Sequence, residues 1–212
     1  MKENVAELNK KNIAEGAEPL FLKKGFHVTT IQDISEASQY SRRTIYKYFE
    51  SKEEILYFLM IQGLGHLVQG LKQEIDRKKP FLETYTGICS CLLDYYQTHP
   101  LSAKSVNEFD SGDSLQITPS VERIFALGTE MNELLASWMR QGQAEGLLQE
   151  AVDVMMAVYL LSTNLHALFE LATSKGPYLF TALQTDQESF LSQGCKMNLN
   201  MILKEPLSIE TK

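Results

Sequence analysis

Cysteine is scarce in this chain of 212 residues: there are three, Cys89, Cys91 and Cys195. The count is odd, and Cys89-Ser90-Cys91 is not a Cys-x-x-Cys pair. On a helix, positions 89 and 91 lie about 200° apart and point away from each other. All three read as small buried hydrophobes, with a redox or metal role as the alternative. Four histidines occur, His27, His66, His99 and His166, and none stands three residues after a glutamate. The Glu-x-x-His pairs of a di-iron bundle are therefore missing. His166 and Glu170 are one helical turn apart, yet two ligands do not make a metal site, so a core histidine beside an acid is the plainer reading. There is no glycine-rich phosphate loop, no Gly-x-Ser-x-Gly and no His-Glu-x-x-His. These absences argue against an enzyme, and no cofactor or metal is expected.

Long apolar runs are absent too. None reaches the roughly 18–20 residues that span a bilayer. The opening MKENVAELNKKNIAEG has no apolar signal-peptide core. A cytoplasmic protein with no membrane partner is expected. Strand signals are nearly lacking: there is no sustained alternation of apolar and polar residues and no Asn-Gly or Asp-Gly turn. The expected fold class is all-α.

What is present is helical periodicity. Ile13, Ala17, Leu20 and Phe21 recur at i, i+4, i+7 and i+8, and Lys23-Lys24-Gly25 supplies a basic last turn and a stop. Pro19 inside this pattern predicts a kink or a fresh start. Thr30 is placed to cap a second helix with Asp33 at its third position, and Ile31, Ile34 and Ala37 form its inner face. Ser38-Gln39-Tyr40 leaves room only for a turn. Ser41 can cap a third helix from Arg42 to Phe49. Ser51-Lys52-Glu53-Glu54 reads as a capping box that opens a long fourth helix. Two short helices joined by so tight a turn form a helix-turn-helix, with Ala17, Leu20, Phe21, Phe26, Ile31, Ile34, Ala37, Ile45 and Phe49 as its core. Further helices are expected near 51–77, 81–98, 101–110, 119–145, 151–174 and 185–204. Breaks are expected at Lys79-Pro80, His99-Pro100, Ser111-Gly112-Asp113, Glu145-Gly146 and Lys175-Gly176-Pro177. The run at 151–171 is apolar on most sides, which predicts burial, one side of it against a second copy of the chain. Two domains follow, residues 1–55 and 56–212.

Charge points the same way. Residues 1–55 hold nine Lys/Arg and nine Asp/Glu, so the rest of the chain carries the whole net charge of −7. Within Gln39 to Lys52, Arg42, Arg43, Lys47 and Lys52 face Glu50 alone. A recognition helix anchors on phosphates and reads base edges from its N-terminal half. Arg42 and Arg43 occupy that first turn, and arginine is the commonest reader of guanine. Ser41, Thr44, Tyr46 and Tyr48 carry hydroxyls suited to phosphate oxygens. Lys52 lies at a helix N-terminus, which favours an anion, and Thr30 offers the same chemistry across the groove.

These residues carry a resemblance. Residues 11 to 57 resemble the DNA-binding domain of the TetR family of bacterial transcriptional repressors. The matching positions are Ala17, Leu20-Phe21, Gly25-Phe26, Thr29-Thr30-Ile31, Asp33-Ile34, Ala37, Ser41, Thr44-Ile45-Tyr46, Tyr48-Phe49 and Ser51-Lys52-Glu53-Glu54-Ile55-Leu56. The resemblance implies phosphate contacts from Thr44, Tyr46, Tyr48 and Lys52, and contacts to bases or adjacent backbone from Arg42, Arg43 and Lys47. The chain departs from the family at Gln39-Tyr40, where Gly-Val is common in the turn, at Arg43, where a small residue is common, and at Pro19.

In the larger part the resemblance is architectural. Trp138-Met139-Arg140-Gln141-Gly142-Gln143-Ala144-Glu145-Gly146-Leu147 looks like the segment that often precedes the family's last two helices. It implies a homodimer through the helices near 151–174 and 185–204, a double-stranded DNA operator of palindromic form, and release from it by a small organic ligand. Candidate pocket residues are Tyr95, Tyr96, His99, Phe109, Phe125, Met131, Trp138, Met139, Met155 and His166, each of which could equally be ordinary core. Glu108 and Asp110 could favour a cationic ligand. The alternatives are a helical interaction protein of the same fold without DNA binding, or a regulator that needs no ligand.

Overall fold

The computed structural model describes residues 2–107, 109 and 116–208. The described residues form helices α1 (Lys2–Lys24), α2 (Ile31–Ser38), α3 (Arg42–Tyr48), α4 (Lys52–Asp76), α5 (Phe81–Thr98), α6 (Pro100–Asn107), α7 (Pro119–Ala144), α8 (Val154–Ala182) and α9 (Gln187–Asn200). There is no strand among them, only an isolated antiparallel bridge between Leu148 and Leu203. Glu108, Asp110 and the expected break at 111–113 lie outside the described residues. The chain divides into two compact units, residues 1–67 with 97–128 and residues 68–96 with 129–212.

In the first unit α1 runs unbroken through Pro19, contrary to the expected kink. Burial of Ile13, Ala14, Ala17 and Phe21 on both sides of the proline offsets the missing hydrogen bond. The helix stops at Gly25, whose φ of 94° is open to glycine at no steric cost. Thr30 caps α2: its hydroxyl accepts from the Asp33 amide at 3.1 Å while the Asp33 carboxylate accepts from the Thr30 amide at 2.7 Å. Ala37 is exposed, not inward as expected. Ser38 takes its place, because a Cβ on Gly16 of α1 would stand only 2.7 Å from the Ser38 Cβ and 2.8 Å from its Cα. The bare glycine lets α2 approach so closely that a small polar residue completes the seam.

The turn into α3 requires a left-handed residue, and Gln39 supplies it at φ 61° and ψ 20°. That conformation favours glycine, so this turn carries strain that a glycine would avoid. The Ser35 hydroxyl holds it by donating to the Tyr40 carbonyl at 2.7 Å. Ser41 caps α3, accepting from the Thr44 amide at 3.1 Å, and the helix ends one residue short of Phe49, which turns extended. Ile34, Ile45, Phe49, Ile55, Leu59 and Leu101 join the α1 residues in one core. Of the expected box at Ser51, the Ser51 hydroxyl accepts from the Glu54 amide at 3.3 Å. The Glu54 carboxylate turns elsewhere and accepts from the Thr118 and Ser120 hydroxyls.

In the second unit Trp138 of α7 stacks on Phe81 of α5, ring centroids 4.3 Å apart, and donates from its indole to the Phe81 carbonyl at 3.2 Å. The expected break at Lys175-Gly176-Pro177 does not occur: α8 continues through Pro177 to Ala182. Burial of Ala172 and Gly176, and Phe180 packed 5.7 Å from Phe190 of α9, hold the last turns together. α9 starts at an Asp186 cap, which accepts from the Ser189 amide at 2.8 Å. It ends at Asn200, short of the expected 204. α8 buries Ala157, Val158, Leu161, Leu165 and Phe169 but leaves Met156, Tyr159, Leu160 and Tyr178 exposed, so only part of its apolar surface is covered within the chain. By length and composition alone α8 is long and apolar enough to cross a membrane, although polar residues interrupt its apolar run. An apolar face shared with Met197 and Met201 of α9 is also what a helix–helix interface needs.

Candidate nucleic-acid interface

α3 has seven residues and two faces. Ile45 is fully buried, and with Phe49 it pins the helix to the core. Arg42, Tyr46, Arg43 and Lys47 fall within an arc of about 140° on the other side. All four are exposed. Among the described residues no hydrogen bond or ion pair engages either guanidinium, and the Lys47 ammonium lies 5.4 Å from the centre of the Tyr48 ring. The helix therefore presents three cations and a phenol, with its apolar side chains turned inward. A surface of this kind can fork onto base edges and phosphates, and it has no catalytic grouping.

The hydroxyls expected to meet phosphates are more committed than the sequence suggested. Thr30 donates to the Asp33 carboxylate at 2.7 Å within its capping box. The Lys24 ammonium also reaches Asp33, at 2.8 Å. That bond, followed by those from Thr30, holds the Asp33 carboxyl well below the usual carboxylate range. Ser41 and Thr44 share a hydrogen bond at 2.8 Å. Tyr48 is half-buried, and its hydroxyl accepts from the Asn9 side-chain amide at 2.8 Å. Tyr46 is the hydroxyl left outward, its side chain 56% exposed.

Lys52 departs furthest from expectation. Its ammonium donates to the carbonyls of Phe26 at 2.7 Å, Thr29 at 2.8 Å and His27 at 3.2 Å, and it stands 4.4 Å from the centre of the Phe26 ring. Three donors meet three carbonyls of the α1–α2 loop, so the charge is turned into the domain. Lys52 fixes that loop; what it can offer an anion is its place at the start of α4. Lys52→Met keeps the apolar stem and removes the donors. It should cost at least about 2–3 kcal/mol, since one hydrogen bond from a charged group is worth about 1.5–3 kcal/mol and three are lost, and a thermal melt will show the loss. The slope of DNA affinity against salt should stay unchanged, in contrast to a lysine that neutralises a phosphate.

Sequence reasoning missed Asn9 and Asn12. Asn9 accepts from the Tyr40 hydroxyl at 2.8 Å while donating to Tyr48, and Asn12 donates to Tyr40 at 3.2 Å. One asparagine of α1 thus joins the turn before α3 to the end of α3. Two tyrosines at the ends of a short helix signal that partners are needed, but nothing in the sequence says which residue some thirty positions away supplies them.

The proposed pocket residues do not fall into one described group. In the first unit Phe109 packs edge-on against Phe125 and Tyr57, both at 5.8 Å, and His99 lies 5.1 Å from His66. In the second unit Tyr96 lies 5.3 Å from His166, 5.5 Å from Phe169 and 5.9 Å from Tyr95. Burial pushes the His166 imidazole down, with Glu170 pulling weakly the other way. Met131, Trp138 and Met139 line a cavity of about 30 Å³ with Tyr85, Ile88 and Leu165. Met155 is exposed and serves no interior pocket in a single chain: it lies at the outer start of α8, and the inward side is already taken by Ala157, Val158 and Leu161.

A short helix that shows cations outward, packed on a second helix through a three-residue turn, defines a helix-turn-helix DNA-binding protein. Residues 13–57 match the family model for bacterial regulatory proteins of the tetR family. Residues 13–57 are thus a DNA-binding segment of the tetR type, and the chain is similar to transcriptional regulators that carry it. It is 27% identical over 163 residues to the transcriptional repressor NicS of Pseudomonas putida, covering 74% of each chain. It is 35% identical over 80 residues to the helix-turn-helix regulator YfiR of Bacillus subtilis, 38% of this chain and 37% of that one. In fold it is similar to SmeT, repressor of a Stenotrophomonas maltophilia multidrug efflux pump, solved as a complex with triclosan. The TM-score is 0.70 at 17% identity, covering 97% of this chain and 98% of SmeT.

Proposed function

We propose that the chain is a cytoplasmic homodimeric repressor that holds a palindromic operator through paired α3 helices and releases it when a small organic molecule binds residues 56–212. The observation that carries the reading is the outward arc of Arg42, Tyr46, Arg43 and Lys47 on α3. One seven-residue helix touches too few bases for useful specificity, whereas two related by a two-fold axis read half-sites about 34 Å or more apart. The exposed apolar residues of α8 and α9, among them Met156, Tyr159, Leu160 and Met197, supply a surface for the second copy. Residues 1–55 act as the DNA-binding domain. Selection of bound fragments from genomic DNA tests the whole. A palindromic consensus, bound with a log–log salt slope on the order of −7 for about eight neutralised phosphates, is expected. Recovery of unrelated fragments would reject sequence-specific regulation.

For the ligand, the supporting observation is the Tyr96 hydroxyl, which is buried and makes no hydrogen bond among the described residues. Burying a hydroxyl unpaired costs roughly 1–3 kcal/mol. The cavity lined by Met131, Trp138 and Met139, about 30 Å³ in volume, has an all-apolar surface and room for little more than a water, whereas pockets for drug-sized molecules run to about 300–1,000 Å³. Binding therefore selects a more open state, which is how a ligand can disfavour the DNA-fitting one. Tyr96→Phe should leave the free protein as stable as before, or stabilise it by about 1 kcal/mol. The same change should blunt the response to inducers in a reporter assay. A marked loss of thermal stability in this variant would show the hydroxyl to be a structural partner.

A further inference from the structure

Asn9 and Asn12 stand one turn apart on α1 and meet the two tyrosines that bracket α3. The hydrogen bonds among these four side chains run one way. The Asn12 amide donates to the Tyr40 hydroxyl at 3.2 Å, and Tyr40 in turn donates to Oδ1 of Asn9 at 2.8 Å. An amide that accepts at its oxygen presents its nitrogen on the other side, and Nδ2 of Asn9 donates to the Tyr48 hydroxyl at 2.8 Å. Tyr48 ends the chain as an acceptor. Accepting occupies a lone pair and leaves the O–H proton, and among the described residues that proton meets no acceptor. The Lys47 ammonium stands 5.4 Å from the centre of the same ring, so positive charge lies beside the unengaged donor.

We propose that Asn9 is a positioning residue for DNA binding: by donating to the Tyr48 hydroxyl it turns that hydroxyl's proton outward, to a phosphate of the duplex, a role that rests on the reading of α3 as the DNA-contacting helix. The phosphate contact of Tyr48 belongs to that reading; the part played by Asn9 is additional to it. A phosphate oxygen only accepts, so a tyrosine serves it only with the proton facing out. Successive donors also polarise one another, which makes the Tyr48 O–H a stronger donor than a lone phenol. Aspartate in place of Asn9 has two oxygens and no N–H. It accepts from Tyr40 as before, but it also accepts from Tyr48 and draws the proton inward. The two side chains have nearly the same shape, so the substitution reverses one hydrogen bond and leaves the packing in place.

The test is a double-mutant cycle of Asn9→Asp and Tyr48→Phe in the full-length protein. Binding is read by fluorescence anisotropy on a fragment selected from genomic DNA and on scrambled DNA, at one salt concentration. Tyr48→Phe should weaken binding to both by about 100-fold in a dimer, about tenfold for each bond to a charged group. Asn9→Asp should lose as much, and a few-fold more for its added charge. In the Tyr48→Phe background only the few-fold loss should remain. The melting temperature of Asn9→Asp should stay within about 2 °C of the parent, whereas a purely structural asparagine would lower stability and binding together. If Asn9→Asp is unfolded by circular dichroism, the same cycle with Asn9→Ala decides: a several-fold loss confined to the background that keeps Tyr48 is expected. Equal losses in both backgrounds, or parental binding by Asn9→Asp, overturn the proposal alone. A parent that binds neither DNA overturns it together with the reading beneath it.

Discussion

An Arg42→Ala/Arg43→Ala double variant is expected to lose about 10³-fold or more in affinity for its operator, while its melting temperature stays within about 2 °C of the parent. Each arginine that grips a guanine with two hydrogen bonds is worth roughly 1–3 kcal/mol of discrimination. A dimer carries four, so the sum is about 4–12 kcal/mol, which spans the typical gap of about 4–10 kcal/mol between specific and non-specific binding. The fold should not suffer, because both side chains are exposed and no hydrogen bond or ion pair among the described residues engages them. Lys47→Ala should act differently. It removes one phosphate partner per subunit, so binding to every sequence weakens and the salt slope flattens by about 2. Fluorescence anisotropy on a selected operator and on scrambled DNA separates the two. If the double variant loses only a few-fold on the operator, base reading lies elsewhere.

A Gly16→Val variant is expected to destabilise the first unit by about 3 kcal/mol and to abolish DNA binding with it. A Cβ at this position would meet the Ser38 Cβ at 2.7 Å, its Cα at 2.8 Å and its amide nitrogen at 3.0 Å. Two of these three are backbone atoms, which no rotamer change can clear. Relief requires α2 to move away from α1, and overpacking of this kind typically costs about 1–3 kcal/mol. The higher helix propensity of valine over glycine offsets only a few tenths of a kcal/mol. Displacing α2 also shifts the turn at Gln39 and the orientation of α3. A melt followed by circular dichroism, beside an anisotropy titration, should show both losses. Retention of parental stability would mean that the seam between α1 and α2 is loose.

Sequence and structure agree most closely where the information is local. The caps at Thr30 and Ser41, the stop at Gly25 and the extents of α4, α5 and α7 were all legible, since each depends on residues within four or five positions of one another. The misses share a cause as well. Pro19 and Pro177 carry a local penalty, yet buried side chains around each helix outweigh it. Ala37 yields to Ser38 because the partner surface holds a glycine. Lys52 has a charge and a place in the sequence that suit an anion, but three loop carbonyls lie within reach of its ammonium.

The amino-acid sequence by itself determined that the chain is helical, that its start is a helix-turn-helix, and that Arg42, Arg43 and Lys47 concentrate positive charge on one short helix. Periodicity, capping and charge act over one or two turns, so they can be read without coordinates. Tertiary structure alone decided which polar groups are already spent. It assigned Lys52, Tyr48 and Thr30 to holding the domain together, left Tyr46 and the arginines facing outward, and left the Tyr96 hydroxyl without a hydrogen bond among the described residues. Hydrogen bonds and close contacts depend on distances between residues dozens of positions apart, and those distances exist only once the helices have packed.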